Sequence, residues 1–137
     1  MTERRVDTFF YGLFMDSSIL STANVIPHNP RQAMLSNYAL RIGARATLVP
    51  QQGAKVWGMI YAVGPSDLET LYGAPGLESY GPEAVLVELN DGHKIPSLVY
   101  NLAVAPGPGE RNESYALRLR SSLKKLEFPD DYILTIA

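Results

Sequence analysis

Apolar and polar positions run in short strand-like bursts over the first two thirds of the chain and then switch to a helical period. Residues 6–12 are rich in β-branched and aromatic side chains and end in Gly12, which predicts a short buried strand. Asp16-Ser17-Ser18 supplies a cap for a short helix to about Ala23, because a short polar side chain satisfies the first free helix amides. Pro27-His28-Asn29-Pro30 predicts a turn. Residues 33–42 read as a strand with Leu35, Tyr38, Leu40 and Ile42 apolar; residues 46–49 continue the β pattern, and residues 50–53 predict another turn. The clearest strand is 55–63, where Val56, Trp57, Met59, Ile60, Tyr61 and Val63 surround Gly58. A glycine inside such a strand marks a bulge or the close approach of another backbone.

Gly64-Pro65-Ser66-Asp67 opens a helix of about two turns, with Leu68 and Leu71 on one face, which cannot outlast Gly73-Ala74-Pro75-Gly76. Residues 83–89 and 95–105 are two strands joined by Asn90-Asp91-Gly92, a hairpin signal. Residues 106–109 form a loop whose glycines lack the lysine and threonine of a phosphate-binding loop. Asn112 caps the longest helix, on which Ala116, Leu119, Leu123 and Leu126 make one apolar stripe. Arg118, Arg120, Lys124 and Lys125 read as its solvated face, with charge suited to the C-terminal end of the helix dipole. Phe128-Pro129-Asp130-Asp131-Tyr132 stops that helix and leads into a final short strand or tail. About six strands and one late helix predict a single α+β domain over residues 1–137, built on a small twisted sheet or barrel.

A chain of 137 residues is long enough for one sizeable core. A net charge of −2 gives no electrostatic footprint for nucleic acid. No apolar run reaches the length of a membrane span, and Met1-Thr2-Glu3-Arg4-Arg5 has no apolar signal core behind it, so a cytoplasmic location is expected. With no cysteine there is no disulfide, thiolate nucleophile or cysteine-held metal. His28 and His93 lie far apart in sequence, and Ser17 and Ser18 have no evident base, so neither a metal site nor a serine triad is expected. The expected partner is a small molecule without a cofactor, on a monomer or homodimer. Eight tyrosines against one tryptophan bias the chain toward phenol-lined pockets.

The candidate chemistry starts at Tyr11-Gly12-Leu13-Phe14-Met15, where the first strand meets a glycine and the chain stays apolar beyond it. A strand-end turn with free amides is an anion or carboxylate site. The competing reading is a tight turn whose apolar residues fill the core. Tyr38, Tyr80 and Tyr115 stand in the same balance between ligand contact and packing.

Several segments together resemble one family. Tyr11-Gly12-Leu13-Phe14-Met15 looks like the turn that closes the first strand of gamma-glutamylcyclotransferase-like proteins. Asn37-Tyr38-Ala39-Leu40 is similar to their GYrL strand, the run 56–63 to their VxGxlYxl strand, and Asp67-Leu68 to Leu71 to the short helix after it. Tyr115, Leu126-Glu127-Phe128-Pro129 and Tyr132 resemble the family's terminal segment, so the likeness covers nearly the whole chain in order. The resemblance implies a small closed mixed β-barrel with a short helix and a longer C-terminal helix, and a rim cavity at the first turn. It also implies that backbone amides of that turn hold the carboxylate of a gamma-glutamyl substrate. A helix-end glutamate would move a proton between the substrate's α-amine and its leaving amide, releasing 5-oxoproline. Such a ring closure is intramolecular, so positioning supplies much of the rate.

One departure bears on that chemistry. Pro75 stands where the family's glutamate is expected, and an alignment shifted by three puts Tyr72 there instead. Proline carries no proton, and a phenol with a pKa of about 10 is a poor base at neutral pH. The substitute candidates are Glu83, on a strand beside Val85, and Glu78, in the loop after Gly76, with Tyr72 itself the third. Three functions stay open: a divergent enzyme that takes a small carboxylate or amino-acid-like ligand in the rim cavity and catalyses cyclisation, amide cleavage or isomerisation with an altered acid–base residue; a non-catalytic descendant that binds a small molecule or a partner; and a true gamma-glutamyl cyclotransferase using Glu83 or Glu78.

Overall fold

The computed structural model describes residues 4–107 and 109–136, so Pro108 of the 106–109 loop, residues 1–3 and Ala137 lie outside the described residues. Its strands are β1 (Val6–Phe10), β2 (His28–Ile42), β3 (Ala46–Val63), β4 (Tyr80–Leu89) and β5 (Lys94–Leu102). Its helices are α1 (Ser17–Thr22), α2 (Pro65–Tyr72), α3 (Glu113–Lys125) and α4 (Asp130–Ile133). The strands close into a mixed barrel in the order β1-β3-β2-β4-β5, sealed by a parallel bridge from Thr8 to Leu98 while the other pairings are antiparallel. The α+β barrel expected from the resemblance is the fold of this chain.

Gly58 is explained by close approach. It faces Ala33 across β2 and β3, and the ring of Phe9 lies over it. A Cβ at Gly58 would stand 2.8 Å from that ring and collide with the Phe10 carbonyl. Two small residues therefore make room for one large ring in a tight barrel.

Two predicted turns are strand instead. His28, Asn29 and Pro30 open β2, where the register slips between His28 and Arg31 and Asn29 takes φ 50°. A bulge tolerates Pro30, which has no amide to give the ladder. Residues 50–53 likewise run on inside β3, so the six expected strands merge into five. There the slip lies between Ser36 and Tyr38, Asn37 and Gly53 take positive φ, and the Asn37 Oδ1 accepts from the Gly53 amide at 3.1 Å. Turn residues serve as bulge residues because the long hairpin pairs more backbone groups than two local turns would.

The end of the chain also differs from expectation. Residues 130–133 form α4, not a strand, with Asp130 and Asp131 in its first turn, where negative charge suits the helix dipole. Arg120 donates to the Ile136 carbonyl at 2.7 Å, tying this segment to α3. Ala116, Leu119 and Leu123 of the α3 stripe are buried as predicted, whereas Leu126 is the residue after α3 ends and is half-buried. Asn112 caps α3 through the Tyr115 amide at 3.1 Å and also donates to the Gly43 carbonyl at 3.0 Å, which fixes the β2–β3 connection beside the helix. No described helix is long and apolar enough to cross a membrane.

Asp16 caps α1 as predicted, accepting from the Ser18 amide at 3.0 Å and the Ser18 hydroxyl at 2.7 Å. The Ser18 hydroxyl, more than its amide or Lys125, holds this carboxyl below its ordinary range despite partial burial. The unfolded chain then binds the proton more readily, so the cap's contribution is complete above a pH of about 4 and is lost as pH falls through the folded value. Asp16→Ala is expected to cost about 1 kcal/mol at neutral pH and to flatten the acid limb of a stability-versus-pH curve, measured by urea unfolding.

Candidate functional site

β1 ends at Phe10, and Tyr11 and Gly12 lead into a single 3-10 turn over Leu13–Met15. The turn is closed from within. The Met15 amide donates to Gly12 at 3.0 Å, the Asp16 amide donates to Leu13 at 3.1 Å, and the Tyr61 hydroxyl donates to the Met15 carbonyl at 2.6 Å. The Tyr115 hydroxyl rests against the glycine, where a Cβ would come within 2.5 Å of it. The Leu13 amide is directed at that same hydroxyl. Several of the amides that made this turn an anion-site candidate are thus engaged inside the chain.

Beside the turn is a cavity of about 250 Å³. Tyr11, Gly12, Leu13 and Phe14 form one side, with Phe10, Ile19 and Leu77 adding apolar wall. Tyr72, Tyr80 and Tyr115 converge on it, and Ala44 and Arg45 from the β2–β3 connection, Ala46 at the start of β3 and Arg118 from α3 complete the lining, both arginines being exposed. The aromatic side chains fix one another. Tyr72 stacks on Tyr100 at 4.0 Å and 6°, and meets Phe14 edge-on at 5.6 Å; Phe14 meets Phe10 edge-on at 6.2 Å. The Tyr11 hydroxyl donates to the Tyr100 carbonyl at 2.7 Å, and the Tyr80 hydroxyl donates to the Ala46 carbonyl.

Burial dominates the electrostatics of this wall. It pushes Tyr11 and Tyr72 well above the ordinary phenol value, with neighbouring tyrosines adding to the effect. Tyr80 is pushed up to about 12 by burial and Tyr115, against a smaller opposing pull from Arg45. Tyr115 is raised by burial, with the Leu13 amide and Arg118 acting against it. These phenols therefore stay protonated and uncharged at neutral pH. An unfolded chain loses its phenol protons first, so their contribution to stability is intact below a pH of about 10 and is lost as pH rises through the folded values. Tyrosinate absorbance is expected to lag that of denatured chain between pH 10 and 12 and then to rise together with loss of circular dichroism, a range set by the ordinary phenol value of about 10 and the folded Tyr80 value of about 12.

The structure brings Tyr11, Gly12, Leu13, Phe14, Tyr72, Tyr80 and Tyr115 together around the cavity. Met15 is fully buried in the core, and Tyr38 lies on the β2–β3 hairpin opposite Pro50; neither lines the cavity. Pro75 is exposed and off the wall, whereas Tyr72 is on it, so the alignment shifted by three is the one that puts a side chain into the cavity. Glu78 is exposed and accepts from the Gly76 amide at 2.9 Å. Glu83 is opposite the buried Val99, which puts it on the barrel's inner face, yet it sits near the strand's end and is exposed. It accepts from the Asn101 amide group at 3.4 Å, and Asn101 in turn accepts from the Thr47 hydroxyl at 3.5 Å and the Leu48 amide at 3.2 Å. Thr47 also contacts the Tyr11 hydroxyl. Sequence reasoning missed Arg45 and Arg118. Arg118 had one available signal, its i+3 spacing from Tyr115 on the same helix face; Arg45 had none.

Among the described residues, no group of three or more histidine, aspartate or glutamate side chains is arranged to hold a metal ion. The fold has close counterparts. A structure described as a gamma-glutamyl cyclotransferase superposes with a TM-score of 0.77 at 20% identity, over 96% of this chain and 86% of its own. The human protein loc79017 superposes at 0.77 and 20% identity, over 98% of this chain and 87% of its own. YkqA from Bacillus subtilis superposes at 0.80 and 22% identity, over 96% of this chain and 52% of the YkqA chain. No curated protein sequence matches. Residues 8–118 match the family described as gamma-glutamyl cyclotransferase, AIG2-like. The chain belongs to that family.

Proposed function

We propose that this chain binds a small carboxylate, amino-acid-like or simpler, in the cavity beside the Tyr11 to Phe14 turn, and that it does not carry out gamma-glutamyl cyclotransfer. The observation that carries this reading is the wall itself: four phenols, two guanidinium groups and, among the described lining residues, no carboxylate. Cyclisation requires a group that takes a proton from the substrate amine at neutral pH. Phenols raised by burial stay protonated there, so they have no basic form available to take that proton. Arginines, by contrast, are well suited to holding an anion, whereas the Tyr11 and Tyr80 hydroxyl protons are already given to the Tyr100 and Ala46 carbonyls.

The test is an NMR titration of labelled chain with a panel of monocarboxylates and amino acids. Saturable shifts at the Gly12, Leu13 and Arg118 amides are expected for at least one acid. Absence of any such response across the panel contradicts the reading. A second reading, cyclotransferase activity through Glu83, has one specific observation in its favour: the chain of polar contacts from Glu83 through Asn101 and Thr47 to the cavity's Tyr11.

A further inference from the structure

The two arginines are placed, not merely present. Arg45 packs its guanidinium against the backbone of Gly76, so closely that a Cβ there would collide with it; Gly76 has φ 89°, a conformation open to glycine. Asn112, bound to the Gly43 carbonyl, anchors the connection that carries Arg45. Arg118 leaves α3 one turn after Tyr115, and its charge acts on the Tyr115 hydroxyl. Arg31 with Asp7, His93 with Asp91 and Lys125 with Asp16 form ion pairs, and among the described residues neither Arg45 nor Arg118 is paired with a carboxylate. Below them the wall is apolar and aromatic: Phe10, Leu13, Phe14, Ile19 and Leu77.

An amino acid or gamma-glutamyl compound brings an ammonium group along with its carboxylate. In this cavity that ammonium would meet two unpaired guanidinium groups and no lining carboxylate, a like-charge approach with loss of hydration and no compensating partner. A carboxylate without an amine meets only favourable charge at the mouth and apolar surface below. The turn amide that would compete for the anion, that of Leu13, already faces Tyr115. We infer that the ligand is a non-zwitterionic carboxylic acid with a flat or branched apolar body, its carboxylate held between Arg45 and Arg118. This rests on the carboxylate-binding function proposed above. A volume of about 250 Å³ lies just under the usual range of about 300–1,000 Å³ for ligand pockets, which suits a single-ring acid.

The test uses three probes of one skeleton: 3-phenylpropionate, its primary amide, and phenylalanine, each titrated against the full chain by NMR. The acid is expected to bind at least about tenfold more tightly than either the amide or the amino acid. Arg45→Gln and Arg118→Gln are each expected to weaken the acid by about tenfold, to leave the amide unchanged and to reduce the salt sensitivity of binding. Both residues are exposed, so these variants are expected to fold, and an unchanged circular dichroism melt checks this. Phenylalanine binding as tightly as the acid, or acid binding indifferent to both substitutions, overturns the inference while leaving a carboxylate site in place. If none of the three probes binds and the wider acid panel is also silent, both the inference and the function beneath it fall.

Discussion

Replacing Gly58 with alanine is expected to lower the stability of the fold by about 3 kcal/mol, because overpacking a barrel interior forces backbone as well as side chains to move. The new methyl group would meet the Phe10 carbonyl and two atoms of the Phe9 ring at 2.8 Å. A side-chain end can swing aside, but a carbonyl held in the β1–β3 ladder cannot, since Phe10 pairs with Met59 there. In a domain of this size a loss of that order shifts Tm downward by about 10 °C, which a calorimetric melt reads directly. Gly81→Ala is the matched control: a Cβ at Gly81 meets nothing within 4 Å, so its change should stay within about 0.5 kcal/mol. Combining Gly58→Ala with Phe9→Leu should recover part of the loss by relieving the ring contact and none of the collision with the carbonyl. An alanine at Gly58 as harmless as one at Gly81 contradicts the packing described for this barrel.

Tyr72→Ala is expected to have the second largest effect and to join stability to binding. The ring stacks on Tyr100, meets Phe14 edge-on and touches Tyr80 at 5.6 Å, so its removal unties three aromatic neighbours at once. The side chain is half-buried, which puts the expected cost near the lower end of the range for aromatic truncation, at about 2–3 kcal/mol. Carboxylate binding should be lost as well, since Tyr72 holds Phe14 and Tyr80 in the cavity wall. Tyr72→Phe keeps every ring contact and is expected to melt close to the parent chain. It separates the ring, which organises the wall, from the hydroxyl, which has no part in catalysis on this account.

Much of the scaffold is legible in the sequence because local chemistry and global packing agree. Asp16 and Asn112 cap the helices they precede, Asn90-Asp91-Gly92 turns the β4–β5 hairpin, and the α3 stripe faces inward. The misreadings fall where long-range pairing overrides local signals. Pro30 and the residues around Gly53 carry turn chemistry, yet bulges in the long β2–β3 hairpin absorb both. Residues 130–133 show acidic residues after a proline, which announce a helix start as readily as a strand. The site was half legible. The tyrosines and the glycine turn could be found from motif order and spacing, and Tyr72 emerged as an alternative to Pro75. Arg45 could not be found, because only closure of the barrel and the Asn112 tether bring the β2–β3 connection over the cavity. That Tyr115 would engage the turn's own amide was likewise a matter of three-dimensional placement, invisible to residue spacing.

The central claim is a family cavity that holds an anion without the acid–base group for cyclotransfer. Its most direct test is release of 5-oxoproline from gamma-glutamyl amines and peptides by the purified chain at neutral pH. The expected result is no release above the uncatalysed background, unchanged by Glu78→Gln or Glu83→Gln. Turnover that Glu83→Gln abolishes, in a variant that melts like the parent, would contradict the claim and establish Glu83 as the acid–base group working through Asn101 and Thr47.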